Sequence, residues 1–166
     1  MSISNNPTTD ELAISRANAS DVTDVGVMVG ELLAEIMDVL GVRAFNFDLA
    51  ETVERLQGFL DQEKYFAFVA RCGDGSAVGF IALYESHALY AEGAFGTIPE
   101  LYVRPGFRER NVGLELLAAA KSFAATRNWT RLEVTTPPLP QFDRTLAFYE
   151  REGFAISGGR KLKLEL

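Results

Sequence analysis

The sequence predicts a mixed α/β fold in which a sheet of about seven strands carries helices on both faces. Segments rich in branched and aromatic residues alternate with amphipathic segments in the order β-α-α-β-β-β-α-β-α-β-β. Two glycine-rich turns, Gly73-Asp74-Gly75 and Gly158-Gly159, stand between strand-like segments and indicate hairpins. The chain has 166 residues, so we expect a single domain over residues 1–166, with a mobile polar segment over residues 1–11.

The first half of the chain is predicted to hold three strands and two helices. Strands are expected over residues 12–17, 65–71 and 78–84. Asn18 is a good N-cap for the first helix, and Asp48 begins the second. Gly26 and Gly30 lie inside the first helix, where they either weaken it or allow close packing or a bend near a ligand. Residues 85–97 are predicted to form a longer connection.

A strand, a basic loop and the start of a helix follow one another over residues 98–117. Pro105 ends the strand because it has no N–H to donate. The helix is indicated by apolar residues that recur at one-turn spacing, namely Val112, Leu116, Leu117 and Ala120. Between strand and helix lie Arg104, Arg108 and Arg110. Because a helix start has unpartnered N–H groups and a positive dipole end, this combination predicts a site for a phosphate-bearing ligand. The alternative is that the arginines are solvated and the helix start binds nothing.

The last part of the chain is predicted to contain a strand over residues 130–135, a helix over 144–152 and a hairpin of strands over 154–157 and 161–166. Gly153 can end the helix in a left-handed conformation. The final run KLKLEL alternates as a half-buried strand does. The two strands on either side of the 112–120 helix would form a right-handed parallel crossover.

The composition argues against several classes of function. The formal net charge of −7 argues against a nucleic-acid partner, which calls for a basic surface. No apolar run approaches the ~20 residues that span a membrane, and the N-terminus lacks the pattern of a secretion signal. The lone Cys72 cannot form an internal disulfide, so we expect a cytoplasmic protein. No cluster has metal-ligand spacing, and no nucleotide-hydrolase or serine-hydrolase motif is present.

The 98–117 segment resembles the acetyl-CoA-binding signature of the GNAT superfamily of N-acetyltransferases. The family core, Arg/Gln-x-x-Gly-x-Gly/Ala, corresponds here to Arg108-Glu109-Arg110-Asn111-Val112-Gly113. Asn111 stands in place of the first Gly and adds a side chain where a pyrophosphate would approach. Asn tolerates a left-handed backbone better than most residues, so we expect the loop to keep its shape. A second family motif matches at Ala147-Phe148-Tyr149-Glu150-x-x-Gly153-Phe154.

The resemblance implies a GNAT-like, mostly antiparallel sheet and transfer of acetyl from acetyl-CoA to a primary amine of a small molecule or peptide. In the family, the strands that flank the signature helix splay apart around the pantetheine arm. The residues that the resemblance assigns to acetyl-CoA are Leu101, Tyr102, Val103, Arg108, Glu109, Arg110, Asn111, Val112, Gly113, Leu114 and Phe148. It implies no metal, and a homodimer is a further family expectation.

The resemblance also implies two catalytic residues. Tyr149 corresponds to the family tyrosine that protonates or hydrogen-bonds the leaving sulfur; the alternative is that it only packs its helix against the sheet. Glu100 stands where the family often has an acidic residue near the acceptor amine. It would act as the base, bind the ammonium group, or be merely solvated.

Residues 85–97 hold further candidates for acceptor contacts, namely His87, Tyr90 and Glu92. The alternative for His87 is an exposed histidine without a role. We expect this segment and both early helices to shape the acceptor pocket. Cys72 lies far from the signature in sequence, which favours direct attack in a ternary complex over an acetyl-cysteine route. The alternative for the whole chain is a non-catalytic acyl-CoA-binding or partner-binding module with a GNAT fold, which Asn111 favours.

Overall fold

A computed structural model describes residues 11–166 of the chain. Residues 1–10 of the predicted mobile segment lie outside the described residues. The chain divides into two compact units. The first unit ends at Thr135 and the second spans Thr136–Leu166.

The first unit combines a sheet with helices. Its elements are β1 Ala13–Arg16, α1 Val22–Leu40, α2 Leu49–Asp61, β2 Phe66–Arg71, β3 Ala77–Ala88, β4 Gly93–Ile98, β5 Leu101–Val103, α3 Val112–Thr126 and β6 Leu132–Val134. Short 3-10 turns precede α1, join β3 to β4 and follow β5, at Ala19–Asp21, Leu89–Ala91 and Pro105–Phe107.

The sheet is mixed and mostly antiparallel, as predicted. Over the described residues it has six strands rather than about seven, in the order β1-β2-β3-β4-β6. The long strand β3 has two partners on one edge, because β5 pairs with its first half and β4 with its second half. All these pairs are antiparallel except β4 with β6, which is parallel.

The prediction of a longer connection over residues 85–97 is wrong, because β3 and β4 form an extended hairpin there. Polar side chains of this hairpin make hydrogen bonds. The hydroxyls of Ser86 and Thr97 lie 2.8 Å apart, and the indole N–H of Trp129 donates to Glu85 at 2.6 Å. The strand predicted before Pro105 is in turn divided between β4 and β5, with Pro99 and Glu100 between them.

Helix α2 begins as predicted, whereas Asn18 caps the 3-10 turn Ala19–Asp21 and α1 itself begins at Val22. The two helices pack closely on one another. Asn18 accepts a hydrogen bond from the Ser20 N–H at 2.9 Å and forms a capping box with Asp21. Asp48 accepts one from the Glu51 N–H at 2.9 Å. A Cβ on Gly30 would lie 2.5 Å from the Phe47 ring, and one on Gly26 would lie 2.9 Å from a methyl group of α2. Of the predicted alternatives for these glycines, close packing is the one observed.

The sheet separates two apolar layers. On one face, α1 and α2 contribute Val25, Met28 and Leu56, which pack against Phe80 and its neighbours. On the other face lies α3, whose Phe123 contacts the rings of Phe66 and Phe68, with ring centroids 4.8 and 5.6 Å apart. Helices therefore cover both faces of the sheet, as predicted.

The second unit contains the helix α4, Asp143–Arg151. Gly153 follows it with φ of 94°, as expected of a residue that ends a helix. The predicted strands over residues 154–157 and 161–166 are not formed. Leu162 and Leu164 are 91% and 82% exposed, so their alternation does not mark a buried face. An alternating pattern becomes a strand only where another strand accepts its hydrogen bonds.

Residues 11–166 contain neither a membrane-spanning helix nor a metal-binding cluster. No helix there combines the length and apolar character needed to cross a membrane. The same residues hold no group of three or more His, Cys, Asp or Glu side chains arranged to bind a metal ion.

Candidate active site

Strand β5 has one open edge. The other edge of β5 faces β3. Two hydrogen bonds of 2.9 Å define that edge: the Ala82 N–H donates to the Glu100 carbonyl, and the Arg104 N–H donates to the Val78 carbonyl. Because bonded and non-bonded pairs alternate in an antiparallel ladder, the N–H and C=O groups of Leu101 and Val103 point to the open edge.

On that edge the neighbouring strand is missing. The parallel pairing of β4 with β6 ends at Ile98 and Val134, and over the described residues no strand pairs with the outer edge of β5. Backbone donors and acceptors are therefore presented beside a gap in the sheet. A break of this kind was expected from the family resemblance and is not visible in the sequence itself.

The loop that follows β5 leads into an uncapped helix start. Asn111 has φ of 60° and ψ of 15°, the left-handed conformation expected for the position where the family has Gly. The first bond inside α3 runs from the Glu115 N–H to the Asn111 carbonyl at 3.0 Å, and the Asn111 side chain makes no capping bond. The N–H groups of Val112, Gly113 and Leu114 precede that first bond, so they are available to an anion.

Gly79 of β3 sets how closely α3 and β5 approach each other. A Cβ at this position would lie 2.8 Å from the Tyr102 carbonyl oxygen, 3.2 Å from Leu116 and 3.3 Å from Val112. Only glycine leaves room for this contact. The start of α3 is thereby held against the strand that carries the open edge.

Two of the three arginines are held by glutamates of α1. Arg104 forms a bidentate pair with Glu31, with distances of 3.0 and 2.9 Å. Arg108 pairs with both carboxylate oxygens of Glu35 at 2.8 and 2.5 Å, and its Nε–H donates to the Val103 carbonyl at 2.7 Å. These guanidinium groups therefore tie the loop to α1.

Glu31 and Glu35 were not singled out from the sequence. The only signal in the sequence is their spacing of four residues, which matches the spacing of Arg104 and Arg108. The third arginine, Arg110, lies over the Phe107 ring, with its Cζ 5.2 Å from the centroid.

A cavity of about 180 Å³ lies on the α1 and α2 face of the sheet. Glu100 and Tyr65 line it together with residues of both early helices and of the segment between them. Both early helices, which were expected to shape the acceptor pocket, contribute lining residues to this cavity. The 85–97 segment contributes none of its lining residues.

Glu100 is the acidic residue of this cavity. The Tyr65 hydroxyl donates to its Oε2 at 2.6 Å. Burial raises the pKa of the Glu100 carboxyl, and the hydrogen bond from Tyr65 opposes that rise because it stabilises the charged form. Burial, together with the nearby carboxylate, also raises the pKa of Tyr65 well above its usual value. Tyr65 was not singled out from the sequence, since its partner lies 35 positions away.

The candidates for acceptor contacts in the 85–97 segment lie outside this cavity. His87 has a side chain that is 71% exposed, with its Nε2 3.2 Å from Glu85. Tyr90 is 76% exposed, and Glu92 is an exposed residue with φ of 58°. The structure does not bring these three residues to the cavity that holds Glu100.

Tyr149 lies in the second unit, on α4. It is buried, with its ring between those of Phe148 and Phe154, at centroid distances of 5.3 and 5.2 Å. Burial raises the pKa of its hydroxyl above the ordinary value, at which a phenol is already protonated at neutral pH. A protonated phenol is the form that donates a hydrogen bond or a proton.

Three solved structures are similar to this chain over nearly its whole length. An aminoglycoside acetyltransferase from an uncultured soil metagenomic sample, in complex with sisomicin, has a TM-score of 0.73 at 21% identity, covering 93% of this chain and 96% of that one. A ribosomal-protein-alanine N-acetyltransferase from Brucella melitensis biovar Abortus 2308 has a TM-score of 0.69 at 19% identity, with coverage of 92% and 99%. A predicted acetyltransferase with acetyl-CoA from Clostridium acetobutylicum has a TM-score of 0.74 at 15% identity, with coverage of 93% and 96%. The fold of this chain is therefore that of an acetyltransferase.

The family follows from the sequence. The model of the acetyltransferase (GNAT) domain matches residues 63–156, more than half of the chain, and the chain belongs to this family. A search of curated proteins finds no match. The matched residues include the open edge of β5, the loop, α3 and α4, whereas α1 and α2 precede them.

Proposed function

We propose that this chain transfers acetyl from acetyl-CoA to a primary amine of a small molecule or peptide, by direct attack of the amine in a ternary complex. The observation that carries the proposal is the open edge of β5 beside the uncapped start of α3. Family membership supports an acyl-CoA donor, and a similar structure is described with acetyl-CoA. A small-molecule acceptor is supported by the similar aminoglycoside acetyltransferase.

The residues present suit acetyl-CoA as a co-substrate. When bound, it would supply the thioester carbonyl that the amine attacks. The outward N–H and C=O of Leu101 and the N–H of Val103 would hold the amides of the pantetheine arm as an added strand would. The backbone N–H groups of Val112, Gly113 and Leu114 would hold the pyrophosphate. Arg108 would act chiefly by fixing the loop through Glu35.

In this proposal Glu100 binds the acceptor ammonium and takes its proton. A carboxylate with an ordinary pKa is a weak base, and burial brings the pKa of Glu100 closer to the working pH. The neutral amine then forms the N–C bond as the C–S bond breaks, and the nitrogen gives up one further proton, which balances the proton that the leaving sulfur takes up. Tyr149, whose hydroxyl is protonated, would donate to the leaving sulfur; the family motif that contains Phe148 and Tyr149 supports this role.

The first experiment is calorimetric titration of the purified chain with acetyl-CoA, followed by a CoA-release assay with a panel of primary amines. We expect binding with a Kd of about 1–100 μM, in keeping with ordinary enzyme substrates, and CoA release that depends on the amine. Glu100→Gln and Tyr149→Phe should each lower kcat by about 100-fold, the lower range for a general acid or base. Glu54→Gln and Tyr84→Phe, at exposed positions, serve as matched controls.

The outcomes separate the proposal from its alternative. Acetyl-CoA binding without amine-dependent CoA release would favour the non-catalytic acyl-CoA-binding module. No binding by the folded chain would show that Asn111 or its surroundings prevent the loop from holding the pyrophosphate. Unchanged turnover in Tyr149→Phe would remove the sulfur-donor role, and an unchanged pH–rate profile in Glu100→Gln would remove Glu100 as the base.

A further inference from the structure

The walls of the cavity that holds Glu100 are mainly apolar. Helix α1 contributes Val25, Val29 and Leu33, which recur at one-turn spacing, and α2 contributes Leu56 and Phe59. Phe47 completes this wall. A compact apolar group can therefore be buried against both helices, and its transfer from water is favourable.

The size of the cavity limits what that group can be. Its volume is about 180 Å³, slightly more than the ~150 Å³ of an apolar cavity that binds benzene. A branched alkyl group or a single aromatic ring fits this space. Phe47 and Phe59 are each about 40% exposed, so part of this apolar wall also faces solvent.

The charged groups of the cavity favour a ligand with one ammonium group and disfavour a ligand with several. Glu100 is the one carboxylate among the lining residues, and Arg55 is the one cation. Further ammonium groups would have to leave water without a carboxylate partner, which is costly. The side chain of Arg55, 59% exposed, would also repel them. The overall charge of −7 therefore does not make this cavity suitable for a polycation.

We infer that the cavity selects a primary monoamine carrying one compact apolar group of about the size of benzene, and that it discriminates against polyamines and aminoglycosides. Glu100 receives the ammonium, and the α1 and α2 side chains enclose the apolar group. The inference rests on the proposed function for the transfer step, but the binding preference stands on the cavity alone. The apolar walls come mainly from α1 and α2, which precede the residues that the family model matches. Selectivity for the acceptor can therefore differ from that of similar proteins.

The test compares 2-phenylethylamine, ethylamine, spermidine and an aminoglycoside. With saturating acetyl-CoA, we expect kcat/KM for 2-phenylethylamine to exceed that for spermidine by at least about tenfold, the scale of discrimination by an apolar pocket. Val29→Phe fills part of the cavity and should lower the value for 2-phenylethylamine by a larger factor than the value for ethylamine. Val39→Phe, at an exposed position of the same helix, is the matched control and should change neither.

Calorimetric titration with each amine separates the inference from the proposed function. Binding of 2-phenylethylamine that Val29→Phe weakens, without CoA release, would sustain the apolar monoamine preference and overturn the transfer reaction. Turnover that favours spermidine or the aminoglycoside would sustain the transfer and overturn the inference. Absence of both binding and turnover of 2-phenylethylamine by the folded chain would overturn the inference as well.

Discussion

Replacing Gly79 with Ala tests whether the contact between β3, β5 and α3 positions the open edge of β5. The new Cβ would lie 2.8 Å from the Tyr102 carbonyl oxygen, closer than real Cβ contacts allow. The methyl groups of Val112 and Leu116, at 3.3 and 3.2 Å, can move by a few tenths of an ångström. The carbonyl cannot do so alone, because Tyr102 pairs with Phe80 in the sheet. Strand β5 or helix α3 must therefore shift.

The expected cost follows from overpacking. One added methyl group in a well-packed core destabilises a protein by about 1–3 kcal/mol. For a chain of this length, that lowers Tm by about 2–12 °C. Because β5 and α3 carry the proposed acetyl-CoA contacts, the Kd for acetyl-CoA should rise as well. Thermal unfolding followed by circular dichroism gives the first quantity, and calorimetric titration of the folded variant gives the second.

Gly58→Ala is the matched control. Gly58 lies inside α2, and the nearest atom to its Cβ would be the Gln62 Nε2 at 4.0 Å. Alanine at such a helical position should stabilise the chain by about 0.5–1 kcal/mol. If Gly79→Ala were as stable as the unaltered chain, the close contact would not be needed. If it lost stability while binding acetyl-CoA unchanged, the open edge would not be the cofactor site.

Three further substitutions test the site. Tyr65→Phe removes the donor that stabilises the Glu100 carboxylate, so the pKa of Glu100 rises further and the acidic limb of the kcat/KM profile moves to higher pH. Glu35→Gln should cost at most about 1 kcal/mol of stability, because the Arg108–Glu35 pair is partly exposed. It should nevertheless weaken acetyl-CoA binding, because Arg108 no longer ties the loop to α1. Asn111→Ala should lower stability by about 1 kcal/mol because alanine resists the left-handed backbone, whereas Asn111→Gly should not; denaturant unfolding measures both.

Each of these tests has a clear contrary result. An acidic limb that stays in place in Tyr65→Phe would show that Glu100 is not the group that titrates. Asp38→Asn, at an exposed position of α1, is the control for Glu35→Gln, and equal acetyl-CoA affinity in the two variants would remove the positioning role of Arg108. Equal unfolding free energies for the two Asn111 variants would show that the left-handed backbone does not limit the loop.

Local features of the site were predictable from the sequence. The cap at Asp48, the left-handed Asn111 and the start of α3 each depend on a few neighbouring residues, whose backbone preferences and short-range hydrogen bonds act whatever the rest of the chain does. Gly153 behaves in the same way. These are the positions at which the expectation and the structure agree.

Strand boundaries were predicted less well. Residues 85–88 look polar in sequence, yet they belong to β3 because they pair with residues 93–96 of β4. The run KLKLEL alternates as a strand does, yet it forms no strand because no partner strand pairs with it. In both cases the outcome depends on the hydrogen bonds of a partner strand.

By itself the sequence determined the four helices and their order along the chain, the family signature, the conformation of the loop before α3 and the identity of Glu100 as a candidate base. Only the tertiary structure decided that β5 has an open edge, that Arg104 and Arg108 bind Glu31 and Glu35, and that Tyr65 holds Glu100 in an apolar cavity. The physical reason is the range of the interactions. Helix caps and turns are set by residues within about four positions, whereas Arg108 and Glu35 are 73 positions apart and meet only when the sheet has brought α1 and β5 together.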